Sequence, residues 1–486
     1  MDIDANLIEK MVKQVLNEID AGKAKAEKTT APEVKNENRN SASYGIFNTM
    51  EEAIDACDAA QKQYLFCSMA ERQKYVQTLR NVVLKQENLE LISRLAVEET
   101  GMGNYPHKLI KNRLAAEKSP GIEDLETEAL SGDDGLTLVE YCPFGVIGAI
   151  TPATNPTETI ICNSIGMLAA GNSIVFSPHP RAKDVTIKLI TMINKALEEA
   201  GAPQNLIVTV VEPSIENTNV MMKHPKVRML VATGGPAIVK LVMSTGKKAI
   251  GAGAGNPPVV VDETADIKKA AIDIINGCSF DNNLPCIAEK EVIAVDSITD
   301  ELIRNMKENG AYQVTDPAVI QKLADLVRKE GGGPKTSFVG KSAVYILEKI
   351  GIQAGPEVRV IIMETPKDHP FVMEELMMPI LPIVRTRNVD EAIDLALIAE
   401  RGNRHTAMMH SKNVDKLTKM AKLLQTTIFV KNAPSYAGIG VGGEGHTTFT
   451  IAGPTGEGLT SAKSFCRKRR CVLSDAFHIR DFSKGL

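Results

Sequence analysis

The side chain best suited to form and break a bond to carbon at neutral pH is a cysteine thiolate. The chain has eight cysteines: Cys57, Cys67, Cys142, Cys162, Cys278, Cys286, Cys466 and Cys471. No CxxC pair occurs among them, so their spacing marks no zinc site, and no metal is expected. A disulfide framework is not expected either, because the N-terminus does not read as an export signal. Cys162 and Cys278 fall on apolar faces, where a thiol packs as a small hydrophobe. Cys286 stands apart, in Ser279-Phe280-Asp281-Asn282-Asn283-Leu284-Pro285-Cys286-Ile287, a polar, turn-forming stretch between a helix and a strand. A thiol there can be exposed and activated as a nucleophile; the alternative is a structural role.

A second candidate is Thr151-Pro152-Ala153-Thr154-Asn155-Pro156. Prolines on both sides restrict the backbone, and Asn155 could aim its amide at a developing oxyanion. The same residue could instead cap the helix that follows, and the residues alone do not separate these uses. Two glycine-rich stretches complete the set: Val231-Ala232-Thr233-Gly234-Gly235-Pro236 and Gly251-Ala252-Gly253-Ala254-Gly255-Asn256. Small residues where a strand hands over to a helix let backbone N–H groups approach a pyrophosphate. Neither stretch is GxGxxG or a Walker A, so both also read as tight turns.

The elements that must position these residues follow from hydrophobic periodicity. Helices are expected over 50–62, 70–100 and 107–117, then strands over 136–141 and 145–150. From there strand and helix alternate through 158–261, and the rhythm recurs from 268 to about 431. Apolar strands alternating with helices imply a doubly wound parallel sheet covered on both faces. The length, 486 residues, calls for two such lobes.

The first residues read differently. Leu7, Ile8, Met11, Val12, Val15, Leu16 and Ile19 form one helical stripe, with Asp4 as a plausible N-cap. Residues 21–43 are rich in Lys, Glu, Asn and Ala and read as a linker. A helix this short needs a surface to cover its stripe, either a partner's or that of its own domain; the linker favours a partner. Hydrophobic residues make up 43%, charged residues 24%, and the formal net charge is −4. That balance points away from nucleic acid and from a membrane surface.

At 151–157, 176–182, 233–236, 251–258 and 279–290, and in order throughout 44–480, the chain resembles the CoA-acylating branch of the aldehyde dehydrogenase superfamily. Phe144-Gly145-Val146-Ile147-Gly148, Ser177-Pro178-His179-Pro180 and the segment 438–450 look most like its propionaldehyde-using members from propanediol-utilisation microcompartments. The acetaldehyde-using members of ethanolamine microcompartments come second. The resemblance implies an α/β, aldehyde dehydrogenase-like fold. Its parts would be an NAD-binding domain over 44–257, a catalytic domain over 258–445, and oligomerisation strands near 134–143 and 464–480 that pair between subunits. It implies NAD as cofactor, coenzyme A and a short aldehyde as substrates, and a homodimer or homotetramer. Residues 1–20 would be an encapsulation tag that binds shell or cargo proteins and places the enzyme inside a cytoplasmic microcompartment.

Residue by residue, the resemblance makes Cys286 the catalytic thiol and Asn155, with the Cys286 N–H, the oxyanion site. Thr233, Gly234 and Gly235 would face the NAD pyrophosphate and nicotinamide. Ser177 and Pro178 would meet the adenine ribose, Gly251 would border the cofactor, and Glu375 would hold the nicotinamide ribose. Thr154, His446, Phe449 and Thr450 would line the aldehyde pocket. Two departures are informative. Ser177 replaces the ribose-contacting Lys of the hydrolytic branch, and Gly251 replaces the Glu that activates water there. Water needs a general base at neutral pH, whereas a thiol of pKa about 8.5 already supplies a few per cent thiolate. A missing base therefore disfavours a hydrolytic enzyme more than a CoA-acylating one. An inactive cargo protein would have lost Cys286 or Asn155, and a non-redox acyltransferase would not need the NAD loops.

Overall fold

The computed structural model describes residues 44–479. The expected tag helix and linker, residues 1–43, lie outside the described residues, as does Arg480 at the end of the second oligomerisation segment.

Local signals set the helix starts. Thr49 and Ser68 each form a reciprocal capping box, with Glu52 and Glu71, ahead of the helices Met50–Tyr64 and Met69–Leu84. The single helix expected over 70–100 is two, Met69–Leu84 and Gln86–Thr100. Lys85 leaves the helical region at ψ 128°, and the Asn88 side chain donates at 2.6 Å to the Val82 carbonyl that the break uncovers. Periodicity carried across the break, which a side-chain hydrogen bond stabilises locally.

In chain order the strands are β1 (Ile46–Phe47), β2 (Glu128–Gly132), β3 (Gly135–Pro143), β4 (Val146–Thr151), β5 (Ser173–Pro178) and β6 (Ile207–Val210). Next come β7 (Val227–Thr233), β8 (Lys248–Ala252), β9 (Pro258–Val261), β10 (Glu291–Val295), β11 (Ala311–Gln313) and β12 (Val360–Glu364). The last are β13 (Ile380–Thr386), β14 (Thr406–His410), β15 (Ile428–Lys431), β16 (Ile451–Ala452), β17 (Gly458–Leu459) and β18 (Cys466–Ser474). A six-stranded parallel sheet has the order β1-β6-β5-β4-β7-β8, and a seven-stranded parallel sheet the order β11-β12-β13-β10-β9-β14-β15. Strands β5, β6, β9, β10 and β14 are buried throughout, as sheets covered by helices on both faces require.

In the first sheet the chain runs outward from β4 through β5 to β6, then returns to place β7 on the other side of β4. The carboxyl ends of β4 and β7 thus flank a topological switch point, where open α/β sheets leave a crevice for ligands.

A third sheet, β18-β3-β2, is antiparallel. The two segments expected to serve as oligomerisation strands pair with each other within one chain, in continuous register from Cys466 opposite Pro143 to Ser474 opposite Gly135. Both strands are nine residues long and β3 lies between β18 and β2, so β18 and β2 are the edge strands of this sheet. The outer strands β2 and β18 keep Leu130, Val472 and Leu473 exposed. Among the described residues, no helix is long and apolar enough to cross a membrane.

Candidate active site

One cavity of 490 Å³ opens at the switch point. The carboxyl ends of β4, β5 and β7 supply Ile150 to Asn155, Ser177, Pro178 and Thr233 to Pro236. The facing wall comes from loops that precede strands of the second sheet: Gly253 and Ala254 before β9, Leu284 and Cys286 before β10, Glu375 and Met377 before β13. The site therefore joins carboxyl ends of one sheet to amino ends of the other.

Asn155 is the residue before Pro156 in the buried helix Pro156–Ala169, yet its side chain does not cap that helix. Its Oδ1 accepts from the Lys111 ammonium at 2.6 Å, and its Nδ2 has only a long, 3.4 Å contact to Thr154 Oγ1. The geometry excludes the capping use. An ammonium only donates, so it fixes which end of the amide is oxygen and leaves Nδ2 as the free donor.

Cys286 follows a turn of high local cost. Asp281, Asn282 and Asn283 all have positive φ, at 50°, 54° and 66°, in the region that Asp and Asn tolerate better than other non-glycine residues. Side chains hold the turn. Asn282 Nδ2 donates to the carbonyls of Gly103 and Gly340, and Asn283 Nδ2 to those of Cys278 and Glu289. Lys290 Nζ donates to Asn283 Oδ1 at 2.6 Å.

Beneath Thr154 and Asn155 lies a buried ionic quartet. Lys111 Nζ stands 2.5 Å from Asp281 Oδ2 and 2.9 Å from Glu158 Oε1, and Lys108 Nζ 3.1 Å and 3.7 Å from the same two oxygens. Lys108 Nζ also donates to the Thr154 carbonyl at 2.5 Å. None of the four side chains is exposed. Burial opposes the charge on Lys111, but the Asp281 and Glu158 carboxylates outweigh it and raise the ammonium pKa. At Lys108 burial wins and lowers it. Burial likewise works against the Asp281 carboxylate, and the two lysines reverse its effect.

Electrostatics at the thiol are set first by burial. Cys286 has some surface toward the cavity but sits deep in protein, and burial pushes its thiol up to about 12. Glu375 raises it further; Lys290, the Cys286 N–H and Lys111 act the other way. Burial therefore works against the thiolate, and the cations and the backbone N–H around it work for it. Burial also pushes the Glu375 carboxyl up to about 7, against Lys290 and the Gly255 N–H.

The remaining expected residues divide. Thr154, Ser177, Pro178, Thr233, Gly234, Gly235, Glu375 and Phe449 line the cavity. Gly251 does not: it lies within β8, opposite Ala232, and donates its N–H to Thr455 Oγ1 at 3.1 Å. A Cβ there would meet Val239 Cγ1 at 2.5 Å, so close packing accounts for this glycine. The glycine-rich loop expected from 251 starts two residues later, because Gly251 and Ala252 end the strand. His446 and Thr450 do not line the cavity either. Thr450 stands behind it, sharing a 2.8 Å hydrogen bond with Thr233 and donating to Asn163 Oδ1 at 3.1 Å; Ile451 takes the lining place.

A dinucleotide fits the other end of the cavity. Ile215, Met222, Ile238 and Leu241 form apolar walls, and Ser177 is held by a 2.8 Å hydrogen bond to Thr218. Nothing lies within 4 Å of where a Cβ would stand on Gly235, the uncapped N-cap of the helix Pro236–Met243, so a bound phosphate could approach the backbone there. The Gly234 N–H is taken by the Ala252 carbonyl at 3.0 Å and is not part of such a cradle.

Comparison with known proteins agrees with this architecture. Residues 20–322 match the aldehyde dehydrogenase family, and the chain belongs to that family. It is 53% identical over 440 residues to a propanal dehydrogenase (CoA-propanoylating) from Salmonella typhimurium, covering 90% of this chain and 93% of the relative. A crystal structure of Rhodopseudomonas palustris propionaldehyde dehydrogenase with bound CoA and an acylated cysteine is 70% identical, with a TM-score of 0.89 over 90% of this chain and 100% of that one. A propionaldehyde dehydrogenase from the Clostridium phytofermentans fucose utilisation microcompartment is 54% identical, with a TM-score of 0.88 over the same shares.

Lys108, Lys111, Glu158 and Asp281 were not singled out by the sequence reading. A signal existed: two lysines three apart among Leu109, Ile110, Leu114, Ala115 and Ala116, and a glutamate in the apolar run that begins at Thr157. A charge on a buried face calls for a buried partner.

Proposed function

We propose that this chain is a CoA-acylating, NAD-dependent aldehyde dehydrogenase, that propionaldehyde is its preferred substrate, and that the acyl group passes through Cys286. The observation that carries this reading is the convergence of Cys286, Asn155 and the Thr233–Gly235 loop on one cavity.

Cys286 sulfur gives up its proton to solvent and adds to the aldehyde carbon. Asn155 Nδ2 and the Cys286 N–H donate to the oxygen that becomes negative, the interaction that lowers the barrier of such additions most directly. NAD, when bound, supplies the hydride acceptor. Thr233 and Gly235, with Ser177 and Pro178, would hold it, and Glu375 would orient its ribose. The acyl group then remains on Cys286 as a thioester. Attack by the CoA thiol releases acyl-CoA and returns Cys286 to the thiol, one thioester exchanged for another. Among the described residues Glu375 is the one carboxylate in the cavity lining, and with Glu375 on the ribose no second carboxylate remains there to activate water.

The open strands β2 and β18 support assembly as a dimer or a dimer of dimers. The apolar stripe of residues 7–19 supports a tag that carries the enzyme into a microcompartment, the setting named for the Clostridium phytofermentans relative.

The test follows NADH absorbance with propionaldehyde and NAD, with and without CoA. Sustained turnover only with CoA is expected; equal turnover without it would make the enzyme hydrolytic. Repeating the assay with acetaldehyde ranks the substrates, which differ by one methylene and about 1–3 kcal/mol of discrimination.

A further inference from the structure

The quartet has a second property beyond its charge balance. The Lys111 ammonium touches both halves of the site: Asn155 Oδ1 at 2.6 Å on one side and Asp281 Oδ2 at 2.5 Å on the other, with Glu158 Oε1 at 2.9 Å as its third neighbour. Asn155 is attached to the carboxyl end of β4, and Asp281 opens the positive-φ turn that leads to Cys286. These two pieces belong to different sheets.

From this we infer that Lys111 is a positioning residue that sets the spacing and orientation of the oxyanion donor relative to the nucleophile, by holding Asn155 and the Asp281 turn with one ammonium. The inference rests on the reading of Asn155 as the oxyanion donor. Stability does not explain the group, because buried ion clusters are commonly matched or exceeded by apolar residues of similar volume. Geometry does. The Glu158 and Asp281 carboxylates fix where the ammonium stands, and its hydrogen bond to Asn155 Oδ1 then fixes which way the amide faces. Lys108 is the less constrained partner: its contact with Thr154 is to a backbone carbonyl, and it does not touch the amide.

The test is a double-mutant cycle on propionaldehyde oxidation with Lys111→Met, Asn155→Ala and the pair, with kcat and KM read separately. Lys111→Met is expected to lower kcat by about 100-fold, the scale of an ångström-level misplacement, with KM within about threefold. In the Asn155→Ala background the same substitution should cost almost nothing, because the amide it positions is gone. A wild-type kcat in Lys111→Met would overturn the inference and leave the role of Asn155 standing. Losses that multiply across the pair would overturn it too, since Lys111 would then act independently of Asn155. A wild-type kcat in Asn155→Ala would sink the oxyanion reading, and this inference with it. Where Lys111→Met fails to fold, Lys111→Met/Glu158→Gln keeps one positive and one negative charge, and the same cycle is run against Glu158→Gln.

Discussion

The Glu375 carboxylate lies close enough to Cys286 to raise a thiol that burial has already pushed up to about 12. Burial and the neighbouring carboxyl, itself pushed up to about 7, thus both work against the thiolate.

Glu375→Gln removes this carboxylate. Cys286 in the variant should react faster with iodoacetamide at pH 8 than in the wild type, while exposed Cys471 reacts at an unchanged rate; peptide mass spectrometry reads both. Stability gives an independent check. The folded-state pKa of Glu375 is raised from 4.5 to about 7, so its contribution is fully present below about 4.5 and is lost as pH rises through 7. Gln should thus match wild type at pH 5 and exceed it at pH 8, by at most about 3 kcal/mol and less where cavity water solvates the carboxylate. An equal difference in melting temperature at both pH values would contradict the assignment.

Cys286→Ala should abolish NADH formation and leave NAD binding within about twofold of wild type, since the nucleotide end of the cavity does not involve the thiol. Calorimetry or fluorescence titration checks binding, and absorbance checks turnover. Residual turnover above one per cent or so would move the nucleophile elsewhere.

Gly251→Ala should destabilise the protein by roughly 1–3 kcal/mol through the clash with Val239, and Val239→Ala should recover much of the loss. Thermal melting reads both. Gly251→Glu should not create CoA-independent turnover, because position 251 does not line the cavity.

Asp281→Asn leaves two ammonium groups facing one carboxylate. Asn accepts the positive φ, so the backbone is not the variable. A loss of about 3–5 kcal/mol in urea denaturation is expected, with recovery when Lys108→Met restores the balance. A loss unchanged by Lys108→Met would mean that Asp281 acts through the turn alone.

What the sequence determined by itself is periodic or local. The alternation of apolar strands with helices set the two parallel sheets, because buried strands and amphipathic helices each carry a short-range pattern. The composition of the loop around Cys286 marked it among eight cysteines, and ordered motifs placed the chain in its family. Tertiary structure decided what depends on residues far apart in sequence. Whether Asn155 caps a helix or presents an amide depended on Lys111, 44 positions away. Whether Cys286 is a thiolate depended on burial and on Glu375. Gly251 was counted into the site by its motif, and the fold sets it within β8 against Val239. The quartet was hidden for the same reason: a buried charge is recognised by the partner that neutralises it, and Lys111 finds Glu158 and Asp281 only once both sheets have folded.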